Sequence, residues 1–480
     1  MAILSYDEAA HLLRRAGFGG STGEIDGLVL KGREGAVDYL INYAAVDDRE
    51  TDLLLGRSFD FANPFDLEKF NRIEIERWWM TRMIYTRRQF QEKMTLFWHN
   101  HFATAASKVD DIFMFIQNRT LRDHALDRFD SLLLNVAQDP AMLIWLDGVT
   151  NVRGKANENF ARELQELFTM GINDVVTGEQ NYTEQDVQEI ARAFTGWKFF
   201  RRRGDTDPFS FPFIVNPNEH DNTAKTVYGQ TGNFNGDDII AIIAARRATA
   251  RFMVKKFFEF FVYPLTASPA DKATIEKFAD VYMTRNHSIK ELVRAIFTSD
   301  EFFSERARFA LVKSPVELIV SSIRMLGARY NPGTSARQEN ANLPVVMSIF
   351  LGQELFNPPD VAGWKLNLGW INTSTLLNRF TYADLLAINR TRDLEAPGLW
   401  LSHDRLRSLT KKSSKKTVKK LLSVLGPLDV DSQTVRTLRN YLETGDQGNA
   451  VDFVPDDLTI DKKVRGLAHL IMCLSEFQLN

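Results

Sequence analysis

The chain of 480 residues contains one cysteine, Cys473. A single thiol can form neither an intrachain disulfide nor a thiolate metal cluster. It lies in LAHLIMCLSEFQ, an apolar helical pattern, and so reads as core rather than as a nucleophile. Long apolar runs are also missing. No stretch reaches the roughly 20 apolar residues of a membrane span, which excludes a transmembrane helix. The opening MAILSYDEAAHLLRRAGFGG lacks the apolar centre of a secretory leader, so the expected location is cytoplasmic. A chain whose leader had been removed would read the same way and would be periplasmic or exported. Neither a Gly-rich strand-to-helix fingerprint nor a phosphate-cradling loop is present, which argues against a nucleotide cofactor. The formal net charge of -3 supplies no basic field for nucleic acid.

What the chain does have is apolar mass: 44% hydrophobic residues, 35 phenylalanines and eight tryptophans. Rings of that number must form much of the core. Helical periodicity runs through YDEAAHLLRRAGFG, ATARFMVKKFFEFFVY and SIKELVRAIFTSDEFF, and alternating patterns are scarce. From about Leu67 to Phe102 the pattern is continuous and no proline breaks it, which predicts one long helix. KFFRRRGDTDPFSFPFIVNPNEHDNTAKTVYG reads as an irregular loop with a hairpin. The expected fold is mainly α: a multi-helix, bundle-like core with one long loop or hairpin insertion and a small C-terminal helical region. The expected units are 1–390, carrying the motifs, and 391–480, with a last helix at about 461–478 packing back on the core. The run KKSSKKTVKK places lysines four apart on helix stripes, which makes a solvated face or, as the alternative, a surface for an anionic partner.

Chemistry concentrates in NENFARELQELFTMG. At 100° per residue, Phe160, Leu164, Leu167 and Phe168 form an apolar stripe, and Gly171 falls where a helix C-cap does. Asn159, Glu163, Glu166 and Met170 share one flank, while Glu158 and Arg162 pair on the outer side. Two carboxylates on one flank repel unless a proton, a metal ion or a basic group intervenes; Arg192 is a candidate for the last. In YTEQDVQEIARAFTGW, Thr183 is an N-cap with Asp186 in a capping-box position, and Trp197 follows on the same flank as Asp186. In FWHNHF, a helix turns His101 toward Phe97 and Trp98 and His99 away, so one metal reaches both only if the helix distorts. EHDNTAK brings His220, Asp221 and Lys225 together in a loop. FNPPDVAGWKLNLGWINTST combines Asp360, Asn367 and Asn372 with the flat rings of Trp364 and Trp370, a mixture suited to sugars and also to inter-helix plugs.

These motifs, in this order and spacing, resemble the large bacterial family catalogued as domain of unknown function 1800, together with HLLRRAGFG near the start and WINTSTLLNR after the tryptophan loop. The likeness runs from about His11 to Gln478 and implies one family unit rather than a mosaic. Members often look exported and are encoded beside a second family resembling sulfatases and phosphatases, which implies envelope or polysaccharide work and a neighbouring gene product as a partner. The absence of a leader here departs from that pattern. The family motifs fall on Asn157, Glu158, Arg162, Glu163, Glu166, His99, His101, Asp186, Trp197, His220, Asp221, Lys225 and Trp364.

Three functions follow as expectations. In the first, the protein is a hydrolase of a carbohydrate or other polar, anionic small molecule. Glu163, Glu166, Asp221 and His101 are then catalytic around a common opening, because crowded carboxylates supply an acid and a base. Asn159, Arg162, Trp197, His220, Lys225, Asp360, Trp364 and Trp370 bind substrate. In the second, His99, His101, Glu163 and Glu166 hold a divalent metal ion. In the third, the same residues form a buried polar network in a non-catalytic scaffold or binding protein.

Overall fold

Helix starts are written into the chain as side chains that accept from the first-turn amides. In the computed structural model, which describes residues 3–389 and 396–480, Ser5 accepts from the Glu8 amide and the Glu8 carboxylate accepts from Ser5 N–H. Ser21 with Glu24, Thr183 with Asp186, Ser314 with Glu317 and Asn372 with Thr375 repeat the device. The fold is mainly α, as expected. Extended structure among the described residues is confined to short antiparallel pairs. Trp197–Phe199 pairs with Phe213–Val215, and Lys225–Val227 with Gln230–Gly232; the segment read as loop and hairpin, 198–229, holds most of the first pair, and the second pair runs past its end. Arg329–Asn331 pairs with Gly398–Trp400. No described helix is long and apolar enough to cross a membrane.

The long helix expected from Leu67 to Phe102 is two helices, Arg72–Tyr85 and Gln89–His101. The break comes from a distant carboxylate. Asp48 accepts from the Thr86 hydroxyl at 2.6 Å and from the Arg87 amide at 2.8 Å, drawing the chain off the helical path. No local residue signals it.

Gln89–His101 is the axis of the molecule. Every residue in it is buried except Asn100. Phe90, Met94, Phe97 and Trp98 enter one apolar cluster, built from the N-terminal helices and residues up to 307. Leu96 enters a second cluster, which joins Arg72–Tyr85 and Pro315–Leu326 to the C-terminal helices. Because it is buried on all sides, each polar side chain in this helix needs its own partner. Glu92 accepts from Trp79 Nε1 at 2.8 Å, Arg82 Nε at 3.0 Å and Arg122 Nε at 2.7 Å. Lys93 pairs with Glu317 and Gln89 accepts from the Phe18 amide. Trp98 Nε1 donates to Ala125 O.

The boundary expected near residue 390 falls at 390–395, outside the described residues. Beyond it, Arg465–Met472 packs on Thr373–Ile388, and Arg465 donates to the carbonyls of Ala387 and Leu401, both at 2.8 Å. The second apolar cluster thus runs through both expected units.

Candidate functional site

The last turn of the axial helix forms the floor of a cleft of about 750 Å³, within the usual size range of small-molecule sites. Phe97, Asn100 and His101 line that floor. One wall is the helix Arg247–Phe261, which contributes Lys256, Glu259 and Phe260; the other is the loop from Pro359 to Asn372.

The loop is held by the helix it faces. Asn100 Oδ1 accepts from the Trp364 amide at 2.7 Å, across 264 residues of sequence. His99 Nε2 accepts from the Phe356 amide at 3.1 Å, where Phe356 takes a left-handed φ of 61°. Asp360 folds its carboxylate onto the Ala362 amide at 2.8 Å, and Asn367 accepts from the Val312 amide at 3.2 Å. Gly363 has φ +77°, and a Cβ there would stand 2.4 Å from the Asn100 carbonyl oxygen. Gly363→Ala is therefore expected to cost more than the roughly 1–2 kcal/mol of a left-handed backbone and to displace the loop. Urea unfolding followed by tryptophan fluorescence checks this, and a midpoint equal to that of the wild type would refute it.

The two histidines of FWHNHF point to opposite sides, as the helical angle predicts. His99 packs among Trp79, Phe356 and Trp364, whereas His101 stacks on Phe97. His101 Nε2 lies 2.9 Å from Phe168 O. A carbonyl only accepts, so Nε2 carries the proton and Nδ1 is left as the acceptor. Burial pushes both imidazoles down to about 3, which keeps them neutral.

Half-buried Lys256 differs from the three fully buried lysines. Lys93 is paired with Glu317, Lys225 donates to the carbonyls of Asp221 and Thr223, and Lys313 donates to Phe477 O. Lys256 has no hydrogen bond or ion pair among the described residues, and its ammonium lies 5.2 Å from the Phe252 ring centroid. Burial lowers its pKa, with Glu259 opposing and Lys255 adding to the effect.

Of the four expected catalytic residues, only His101 lines the cleft. Asp360, Trp364 and Trp370, which the sequence reading offered as binding residues, line it too. The tryptophans are only 6% and 5% exposed, so they wall the cleft and leave little ring surface for stacking. Glu163 and Glu166 lie on Asn159–Glu166, half-buried and outside the cleft. Glu166 accepts from the Tyr182 hydroxyl at 3.3 Å, and burial, reinforced by Glu166, raises the pKa of Glu163. Arg192 does not relieve them: it binds Glu189 at 2.8 Å and Asp221 at 2.8 Å.

Asp221 is thereby sealed. Its bond to Arg192, with further ones to Thr223, holds its carboxyl well below the usual range against the opposing effect of burial. His220 Nδ1 donates to Thr195 O, and Trp197 packs between Phe194 and Phe213. Asn159 reaches Asp147 at 3.4 Å, and Arg162 joins Glu158 to Glu184. Asp186 caps its helix and accepts from the Tyr228 amide at 2.7 Å. Asn159, Arg162, Trp197, His220 and Lys225, expected at a substrate site from the sequence, line no part of the cleft; their partners lie in neighbouring segments, Asp147 for Asn159 and Glu184 for Arg162. The metal set His99, His101, Glu163 and Glu166 is not assembled, since the histidines face opposite ways. Among the described residues, no three His, Cys, Asp or Glu side chains are placed to hold a metal ion.

Lys256, Glu259 and Asn100 escaped sequence reasoning. The signal was present for the first two, as opposite charges three apart in the phenylalanine-rich RFMVKKFFEFF. No curated protein and no solved structure matches the chain. A family model does, over residues 11–479, under the description "Protein of unknown function (DUF1800)", and the chain belongs to that family.

Proposed function

We propose that the protein is a hydrolase of a small polar, carbohydrate-like substrate, and that its chemistry lies in the cleft beside the tryptophan loop rather than at the NENFARE turn. One observation carries this reading: Glu259 and Asp360, carboxylates from two separate elements, line the same cleft as a neutral imidazole, His101. Carboxylates from opposite walls can act on two sides of a bond, which two from one helix flank cannot do. Asn100, Asn367 and Asn372 add hydrogen-bonding groups for hydroxyls, and Phe97 and Phe260 supply apolar surface.

Turnover of a panel of nitrophenyl glycosides, esters and phosphates tests the reading. On any substrate the wild type cleaves, Glu259→Gln and Asp360→Asn are each expected to lower kcat by about 10²–10⁴-fold with unfolding midpoints unchanged. Wild-type rates in both variants would sink it.

A second reading, a non-catalytic scaffold, draws support from the ties among Arg192, Glu189, Asp221 and Lys225. These residues are bonded to neighbouring segments and line no part of the cleft. Turnover separates the two readings, since a scaffold cleaves nothing in the panel; where turnover is found, the cleft reading expects full activity from Glu163→Gln.

A further inference from the structure

The charges of the cleft do not balance once their local bonds are counted. Glu259 has Lys255 Nζ at 3.8 Å, and the Asp360 carboxylate is folded onto its own loop at the Ala362 amide. The cations have no such partners. Lys256 on the helix wall and Lys365 on the loop wall both line the cleft, and neither forms an ion pair or hydrogen bond among the described residues. Lys256 is half-buried against Phe252, where an ammonium with no bonded partner is costly to keep, although the charge of Glu259 acts on it from a distance. The fully buried Lys93, Lys225 and Lys313 are tied to carboxylates or carbonyls, whereas Lys256, half-buried and facing the cleft, is not.

We propose that the cleft takes a ligand carrying a carboxylate or phosphate group, and that Lys256 is the residue on which this anionic group is seated. The inference rests on the cleft being the ligand site and names the substrate class within that reading. Lys365, exposed at the opposite wall, draws the anion in, and Lys256 holds it where water is scarce and a point charge acts more strongly. The polar side chains of Asn100, Asn367 and Asn372 then face the uncharged remainder of the molecule.

Competitive acetylation of the intact protein with acetic anhydride, read peptide by peptide by mass spectrometry, tests this at the residue itself. The probes are inorganic phosphate, glucuronate and glucose at matched concentration, with the exposed Lys415 as an internal reference. Near-saturating phosphate or glucuronate is expected to slow labelling of Lys256 about fivefold or more and to leave Lys415 unchanged, with glucose protecting less than glucuronate. Glucuronate is also expected to raise the unfolding temperature of the wild type but not of Lys256→Met, whose unbranched side chain keeps the contact with Phe252.

Equal protection by glucose and glucuronate, with none from phosphate, would overturn the anion inference and leave a neutral-sugar cleft standing. Protection by phosphate alone would uphold the anion seat and overturn the carbohydrate reading. If no probe protects Lys256, or if Lys256→Met is stabilised by glucuronate as much as the wild type, the inference is overturned.

Discussion

Replacing Glu92 with alanine is expected to lower the unfolding free energy by about 3–5 kcal/mol, the range for removing one partner of a buried ion pair. Glu92 is fully buried on the axial helix and receives the Trp79 indole and the guanidinium groups of Arg82 and Arg122. Burial opposes its ionisation, but Arg122 and Arg82 more than compensate and hold the pKa below the usual value. Without the carboxylate, two withdrawn cations face each other across the space it leaves. The urea midpoint should fall sharply in Glu92→Ala. It should recover in part in a Glu92→Leu, Arg122→Leu double variant, because the second change removes one stranded charge. A single variant as stable as the wild type would mean that the two arginines find other partners.

The second large effect is one of pH. Glu76, only 2% exposed and with Oε1 unpartnered, has its pKa raised to about 8 by burial and by Glu354, against an opposing effect from Arg72. A carboxyl whose folded pKa lies above its unfolded value binds protons more readily when folded. Stability is therefore lost as pH rises from about 4.5 to about 8. At about 1.4 kcal/mol per unit, that gap amounts to at most about 5 kcal/mol. Asp139, raised by burial to about 7, acts in the same direction over a lower window. His99 and His101, both pushed down to about 3, act oppositely: unfolding lets them protonate, so they subtract stability as pH falls from 6.5 toward 3. Glu76→Gln, neutral at every pH, should reduce the fall in stability between about pH 4.5 and 8 and leave the slope below pH 4.5 intact. An unchanged slope between pH 4.5 and 8 would show that Glu76 is not its source.

Much of this architecture can be read locally. The capping box at Thr183, the left-handed Gly171, the Glu158–Arg162 pair and the opposite facing of His99 and His101 all follow from residues within one or two helical turns. The interruption at Thr86–Arg88 does not, because the Asp48 carboxylate that causes it lies 39 residues away from Arg87. That Glu163, Glu166 and Asp221 line no part of the cleft has the same cause. NENFARE and HDNTAK are dense in charge, and density suggests chemistry. Those charges are nevertheless satisfied by neighbours such as Arg192 and Tyr182, which angular reading of a single helix cannot assign.

The sequence alone determined the helical class, the family, most helix starts and the division of each helix into apolar and polar faces, because these depend on contacts a few residues long. Tertiary packing decided which polar residues are spent on one another and which are left facing open space. Asn100 meets Trp364 and Gly363 across more than half the chain, and only that encounter sets Lys256, Glu259 and Asp360 around one cleft. A side chain's chemistry is local, but whether it has a partner depends on the whole fold.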